Sequence, residues 1–391
     1  MFAVPGLARK SLGKIVLIFS ALWLAACEPV ATGLGGPSID TGAPVPVALL
    51  VPGGSGQESD ALIARSLENA ARLAISDLDG VRIDLRVYNT AGQPGQAASL
   101  ARQAAADGAR IILGPVFAQE ANAAGNAVAG QGLNVLSFSN NTDIAGGNVF
   151  VLGPTFQNTA DRLAGYAQRQ GMGRVLIVHD RNAAGEVGRA AIARAVADAG
   201  GSVAGTSSYE FSQNGVVQAV PGIVSSARSA GADAVFFTAD TAGALPLLSQ
   251  LLRENGLTPA VTRFIGLTRW DIPQATLALP GVQGGWFALP DPVLNERFQG
   301  RYMAAFGEMP HPIAGLAYDG IAAIGALVRQ GNADALTGRA LTQGAGFVGT
   351  GGIFRLNRDG TNQRGLAVAE IRDNQVVVID PAPRSFGGAG F

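Results

Sequence analysis

The stretch Val45-Pro-Val-Ala-Leu-Leu-Val51, the helically spaced apolar residues of Ala61–Leu78 and the run Val81-Arg-Ile-Asp-Leu-Arg-Val-Tyr88 decide the fold. The first is a continuous apolar run, the pattern of a strand covered on both faces. The last alternates with a period of two, as a half-buried strand does. The cycle repeats with a helix at Ala97–Ala106, a strand at Arg110–Leu113, a helix at Gln119–Ala129 and a strand at Asn134–Phe138. Strands alternating with helices of this length predict a parallel sheet with helices on both faces.

A second series starts at Arg174. Strands at Val175–Val178, Ser202–Phe211, Ala234–Thr238 and Arg263–Leu267 alternate with helices at Glu186–Ala199, Val217–Ala230 and Ala244–Glu254. The spacing therefore predicts an α/β protein of two doubly wound parallel-sheet lobes. After it the beat changes. Leu294–Phe306 and Ile313–Arg329 read as helices, and residues 347–379 read as strands around turns at Asp359-Gly360 and Asp373-Asn374. A chain that ends in a different mode from either lobe implies lobes that are not simply sequential.

Composition narrows the chemistry. The chain has 391 residues, 48% hydrophobic and 15% charged, which fits a two-lobe globular protein and excludes a disordered or collagen-like one. Its only lysines are Lys10 and Lys14, so Schiff-base chemistry and a phosphate-loop lysine are excluded from the body of the chain. One cysteine and two histidines, His179 and His311, leave no disulfide framework, zinc cluster or iron–sulfur site. No catalytic residue, metal or cofactor is assigned.

The N-terminus reads as an export signal. Arg9, Lys10 and Lys14 precede the apolar stretch Ile15–Ala26, which is shorter than the ~20 residues a membrane span needs. It ends in Leu24-Ala25-Ala26-Cys27, which resembles the bacterial lipobox. That resemblance implies cleavage after residue 26 and a lipid on Cys27, with Glu28 rather than aspartate favouring the outer membrane. Loss of the three basic residues leaves a slightly acidic chain, which argues against a nucleic-acid partner. Residues 28–44, rich in glycine and proline, read as a tether.

Eight motifs in order carry a family resemblance. They are Val47-Ala-Leu-Leu-Val-Pro52, Asn69-Ala-Ala-Arg-Leu-Ala74, Asn89-Thr90, Ile111-Ile-Leu-Gly-Pro115, Val135-Leu-Ser-Phe-Ser-Asn140, Val175-Leu-Ile-Val-His-Asp180 with Gly185-Glu186, Ala317-Tyr-Asp-Gly320 and Gly349-Thr-Gly-Gly-Ile-Phe354. Together they resemble the type I periplasmic-binding-protein fold, in its leucine-binding-protein-like branch, over about residues 45–380. The resemblance implies two α/β lobes joined by three crossovers and closing over a ligand. The lobes are then expected as 45–155 plus 312–345 and 156–311 plus 346–380, with 381–391 as a tail.

Ligands of open α/β sheets sit beyond the carboxyl ends of the strands. From the first lobe this nominates Phe117 and Gln119 in one loop, and Ser137, Ser139, Asn140 and Asn141 in another. Amino-acid receptors of the family place a carboxylate-fixing serine in the first of these loops, where Ala118 and Gln119 stand here. From the second lobe come Asp180, Asp240 and Thr241. Trp270 is either a cleft aromatic or a packing residue. His179 reads as a packed or rim histidine, since no nucleophile accompanies it, and Gly53-Gly-Ser-Gly56 lacks the third glycine of a dinucleotide fingerprint.

Two functions follow from the resemblance. A lipid anchor, a tether and a receptor-like domain without the amino-acid signature are similar to penicillin-binding protein activators, whose partner is a peptidoglycan synthase. The breadth of the receptor family points instead to the substrate-binding protein of an ABC transporter, whose partners are an ABC permease and a small polar or amino-acid-like ligand. The lipid address puts the activator first. Either protein would lie in the periplasm, held to the membrane through its N-terminal lipid.

Overall fold

A computed structural model describes residues 34–387. The signal segment, the lipobox and Cys27 lie outside the described residues. The first sheet is built from β1 (Val45–Val51), α1 (Glu58–Ser76), β2 (Ile83–Asn89), α2 (Pro94–Ala106), β3 (Ile111–Leu113), α3 (Ala118–Val128), β4 (Val135–Ser137) and β5 (Val149–Val151). Its five strands run parallel in the order β2-β1-β3-β4-β5. The pleat of β1 explains why its apolar run is unbroken. Val47, Leu49 and Val51 pack with Leu67, Ala70 and Ala74 of α1, while Ala48 and Leu50 pack on the other side with Ala101, Ala104, Ala124 and Val128 of α2 and α3.

The second unit follows. It contains α4 (Phe156–Arg169), β6 (Arg174–Asp180), α5 (Ala183–Asp198), β7 (Ser202–Tyr209), α6 (Gln213–Ser229), β8 (Ala234–Phe237), α7 (Leu245–Glu254), β9 (Arg263–Gly266) and β10 (Trp286–Leu289). Helix α4 is absent from the sequence reading. Thr155 and Asn158 start it with a reciprocal capping box, in which the Asn158 N–H donates to Thr155 Oγ1 at 3.2 Å and the Thr155 N–H to Asn158 Oδ1 at 2.9 Å. Strand β6 is again two-faced, with Leu176 and Val178 against α6 and α7 and Val175 and Ile177 against α4 and α5.

The chain finishes through α8 (Pro292–Phe306), α9 (Gly315–Val328), α10 (Gly338–Leu341), β11 (Phe347–Gly349), β12 (Gly352–Leu356), β13 (Asn362–Arg364), β14 (Ala367–Arg372) and β15 (Gln375–Asp380). Strands β14 and β15 complete a seven-stranded sheet of order β15-β14-β10-β9-β8-β6-β7, and β11-β12-β13 form a small sheet of their own. Phe298 and Tyr302 of α8, with Phe347, Phe354 and Leu356 of the small sheet, belong to the first lobe's core. The sequence reading had placed both segments in the second lobe. Their aromatic faces close over α1 and α9, which a reading by strand and helix order does not reveal.

Three passes between the lobes result, through 152–155, 289–291 and 365–366. A polar seam ties them together. Asn362 donates its amide to the carbonyls of Val151 (2.8 Å) and Gly153 (2.9 Å), Asn158 donates to the Asn362 carbonyl (2.9 Å), and the Asp291 N–H donates to the Gly351 carbonyl (2.8 Å).

Candidate ligand site at the strand ends

Each sheet has a point where successive crossovers leave in opposite directions, and ligands of such sheets bind there, beyond the carboxyl ends of the strands. In the first sheet it lies between β1 and β3, flanked by the starts of α1 and α3; in the second it lies between β6 and β8, flanked by α5 and the loop after β8. These positions also gather helix N-termini, whose unpaired N–H groups favour negative charge.

At the first point Phe117 is the N-cap of α3, with its ring 40% exposed. The ring lies beside Gly92, where a Cβ would stand 3.5 Å from the Phe117 ring and 3.9 Å from Asp60 Oδ2. Asp60 is buried in the first turn of α1. Glu120, in the first turn of α3, is fully buried, with Thr90 and the Phe117 backbone beside its carboxylate. Burial pushes its pKa above the usual glutamate range; Thr90 and the Phe117 backbone pull the other way, and the negative Asp60 adds to the rise. Gln119, between Phe117 and Glu120 in sequence, is exposed.

The neighbouring loop is held by its own side chains. Ser137 Oγ donates to the Pro115 carbonyl (3.2 Å) and accepts from the Ser139 N–H (3.1 Å), Ser139 Oγ accepts from the Asn141 N–H (3.1 Å), and Asn141 Oδ1 accepts from the Asp143 N–H (2.8 Å). Ser137 and Ser139 are buried. Their hydroxyls shape the turn rather than stand open at the strand end, which departs from their nomination as ligand groups. Asn140 and Asn141 are exposed.

At the second point the Asp180 carboxylate accepts from Thr238 Oγ1 (2.7 Å) and from the Asn182 amide, while Asn182 caps α5 through the Gly185 N–H (2.8 Å). Asp180 thus ties the end of β6 to that of β8. Asp240 is exposed at the next loop, and its peptide oxygen accepts from the Leu245 N–H (3.1 Å) at the start of α7. Thr241 Oγ1 donates to the Ile272 carbonyl (2.6 Å). The Tyr209 hydroxyl is buried without a partner, and burial, with Asp180 and Asp240 adding, pushes its pKa up.

Beside Asp240, the residues Phe211, Val217, Gly243 and Leu247 line a hollow of about 560 Å³. Phe211 is 62% exposed. Trp270 does not reach this face. It is fully buried in the second core, its ring 6.3 Å from that of Phe237 and seated on Gly266. The loop after β9 turns the indole inward because Gly266 leaves room for it.

The sequence reading missed Asp60, Glu120, Tyr209 and Phe211. Acids in the first helical turn resemble ordinary capping residues. Only the sheet order shows that the two helices concerned flank one crevice.

The sequence model of a family described as Periplasmic binding protein matches residues 44–375. No curated protein matches the chain. Among solved structures, a putative branched-chain amino acid ABC transporter protein from Rhodospirillum rubrum is similar at 19% identity and a TM-score of 0.72, covering 86% of this chain and 100% of its own. An ABC transporter substrate-binding protein from Desulfitobacterium hafniense, in complex with Leu, is 18% identical with a TM-score of 0.61, covering 86% of this chain and 100% of its own. A solute-binding protein of an ABC transporter from Rhodopseudomonas palustris, in complex with 3,4-dihydroxybenzoic acid, is 18% identical with a TM-score of 0.56, covering 88% of this chain and 97% of its own.

Proposed function

The chain belongs to the periplasmic binding protein family, and from that membership we propose that it is the solute-binding component of an ABC transporter. The observation that carries this reading is the family match across both lobes, residues 44–375, on a chain that passes between those lobes three times. A small solute would sit at the strand ends and draw the lobes together about the crossovers, as hinge closure does in such receptors. The transporter permease would be the partner. The role is binding without turnover.

The similar solved structures favour this receptor over the activator of peptidoglycan synthases that the lipid address had put first. Anchoring through a lipid on Cys27 remains part of the proposal, at the membrane that holds the permease, whereas residence at the outer membrane goes with the activator.

A thermal-shift screen of amino acids, aromatic acids, amines, peptides and muropeptides tests the reading. A cognate solute at 100 times its dissociation constant stabilises a binding protein by about 2.7 kcal/mol. A screen in which no solute raises the melting temperature, joined to recovery of a peptidoglycan synthase on the lipoprotein in a pull-down, would return the assignment to the activator.

A further inference from the structure

The chain reaches β1 along a fastened strap. Asn134, 1% exposed just before β4, donates its amide to the Gly35 carbonyl (2.9 Å) and to the Leu336 carbonyl (2.8 Å). The Gly338 and Arg339 N–H groups of α10 donate to the Gly35 and Leu34 carbonyls (3.0 and 3.1 Å), and the Ile39 N–H donates to the Ala333 carbonyl (2.9 Å). Gly36 passes so close that a Cβ would stand 2.8 Å from the Leu336 carbonyl oxygen, and Ile39 is buried in the first lobe's core. Further on, Arg82 donates to the Gly42 carbonyl at 2.6 Å. The tether expected over residues 28–44 is therefore part of the fold from Leu34 onward.

The strap lies at one end of the first lobe. Val45, Arg82 and Asn134 stand at the amino ends of β1, β2 and β4, opposite the strand-end loops that would hold a solute. Resting on the lipid anchor of the receptor reading, we propose that this base of the first lobe is the surface that faces the lipid bilayer, and that the docked strap keeps the strand-end loops away from it.

Chain length carries the argument. Leu34 follows Cys27 by seven residues, which extend to at most about 25 Å. Strand β1 alone, with seven residues, spans about 23 Å from base to strand end, and the loops at both ends add to the height of the lobe. A leash starting at the base is thus too short to let the strand-end loops lie on the bilayer. Freed as far as Val45, the same leash would reach about 60 Å. Approach to the bilayer by the strand-end loops therefore requires the strap to leave its seat on Asn134 and α10. The exposed charges at the base, among them Arg82, Arg110, Asp79 and Asp107, are mixed in sign, so the leash and not attraction to lipid sets the orientation.

The test uses the lipidated full chain in phosphatidylcholine vesicles that carry an acceptor dye on a lipid headgroup. Cys27 is the only cysteine and its thiol would be blocked by the lipid, so one introduced cysteine takes the donor dye. Gln131→Cys places it at the base and Asn140→Cys at the strand-end loops, both at exposed positions. Energy transfer to the bilayer is expected to be at least twofold stronger from the base. Insertion of about 20 Gly/Ser residues after residue 33, ahead of every docked residue, is expected to bring the two labels level. Equal transfer from both labels without the insertion overturns the proposal, and a difference that survives the insertion overturns the leash as its cause. A chain that stays off the vesicles carries no lipid and overturns it as well, while the solute screen still decides the receptor reading.

Discussion

Asp319 of α9 and Arg364 of β13 form a buried ion pair, 3.2 Å from carboxylate to guanidinium, with side chains 1% and 9% exposed. Asp319 Oδ1 also accepts from the Thr350 N–H (2.7 Å) and hydroxyl (3.1 Å), and Arg364 Nε donates to the Leu152 carbonyl at 3.1 Å. One pair thus joins α9, the small sheet and the first crossover. Removing one partner of a buried pair leaves an uncompensated charge, which costs about 3–5 kcal/mol. Asp319→Ala should lose stability on that scale in denaturant unfolding, and Asp319→Asn, which keeps an acceptor for Thr350, should lose less. Equal stability of Asp319→Ala and wild type would contradict the role given to this seam.

Gly114 follows β3 with φ of 82°, and a Cβ there would overlap the Leu50 carbonyl oxygen. Strained backbone of this kind costs about 1–3 kcal/mol before any clash is counted. Gly114→Ala should therefore destabilise the first lobe by about 2 kcal/mol or more and displace the Phe117 loop. Calorimetric unfolding measures the first effect. A variant as stable as wild type would show that the loop is not held by this close approach.

Glu120 binds its proton more tightly folded than unfolded, because burial raises its pKa. Its carboxyl is least costly at low pH, and the charge destabilises the fold as pH rises from about 4 through the raised folded value. Relative to Glu120→Gln, wild type should lose stability across that window and then level off. Parallel stability curves for the two proteins would refute the shift.

The strands were legible because apolar runs such as Val45–Val51 and Val175–Val178 are buried on both faces, and their continuity survives in sequence. Helix α4 was legible too, since Ala160, Leu163, Ala164 and Ala167 recur at helical spacing behind the Thr155 cap, but it lies in the gap between the two strand-helix series. The site was only partly legible. Loop positions such as Phe117, Asp180 and Asp240 follow from strand ends, but the burial of Ser137, Ser139 and Trp270 depends on what packs around them. Glu120 looks like an ordinary first-turn acid until sheet order sets it opposite Asp60.

Trp270 supplies a separate check on the second core. Truncating a fully buried tryptophan costs about 3–5 kcal/mol. Trp270→Ala should lose stability of that order, and any solute the folded variant still binds should bind with unchanged affinity. A selective loss of affinity would move Trp270 back to the cleft.

Small-angle X-ray scattering tests the receptor reading most directly. With a solute identified by thermal shift at saturating concentration, the account predicts a smaller radius of gyration than in the solute-free protein, as the lobes close over the strand ends. An unchanged radius with solute bound would contradict the claim that this chain works by closing on its ligand.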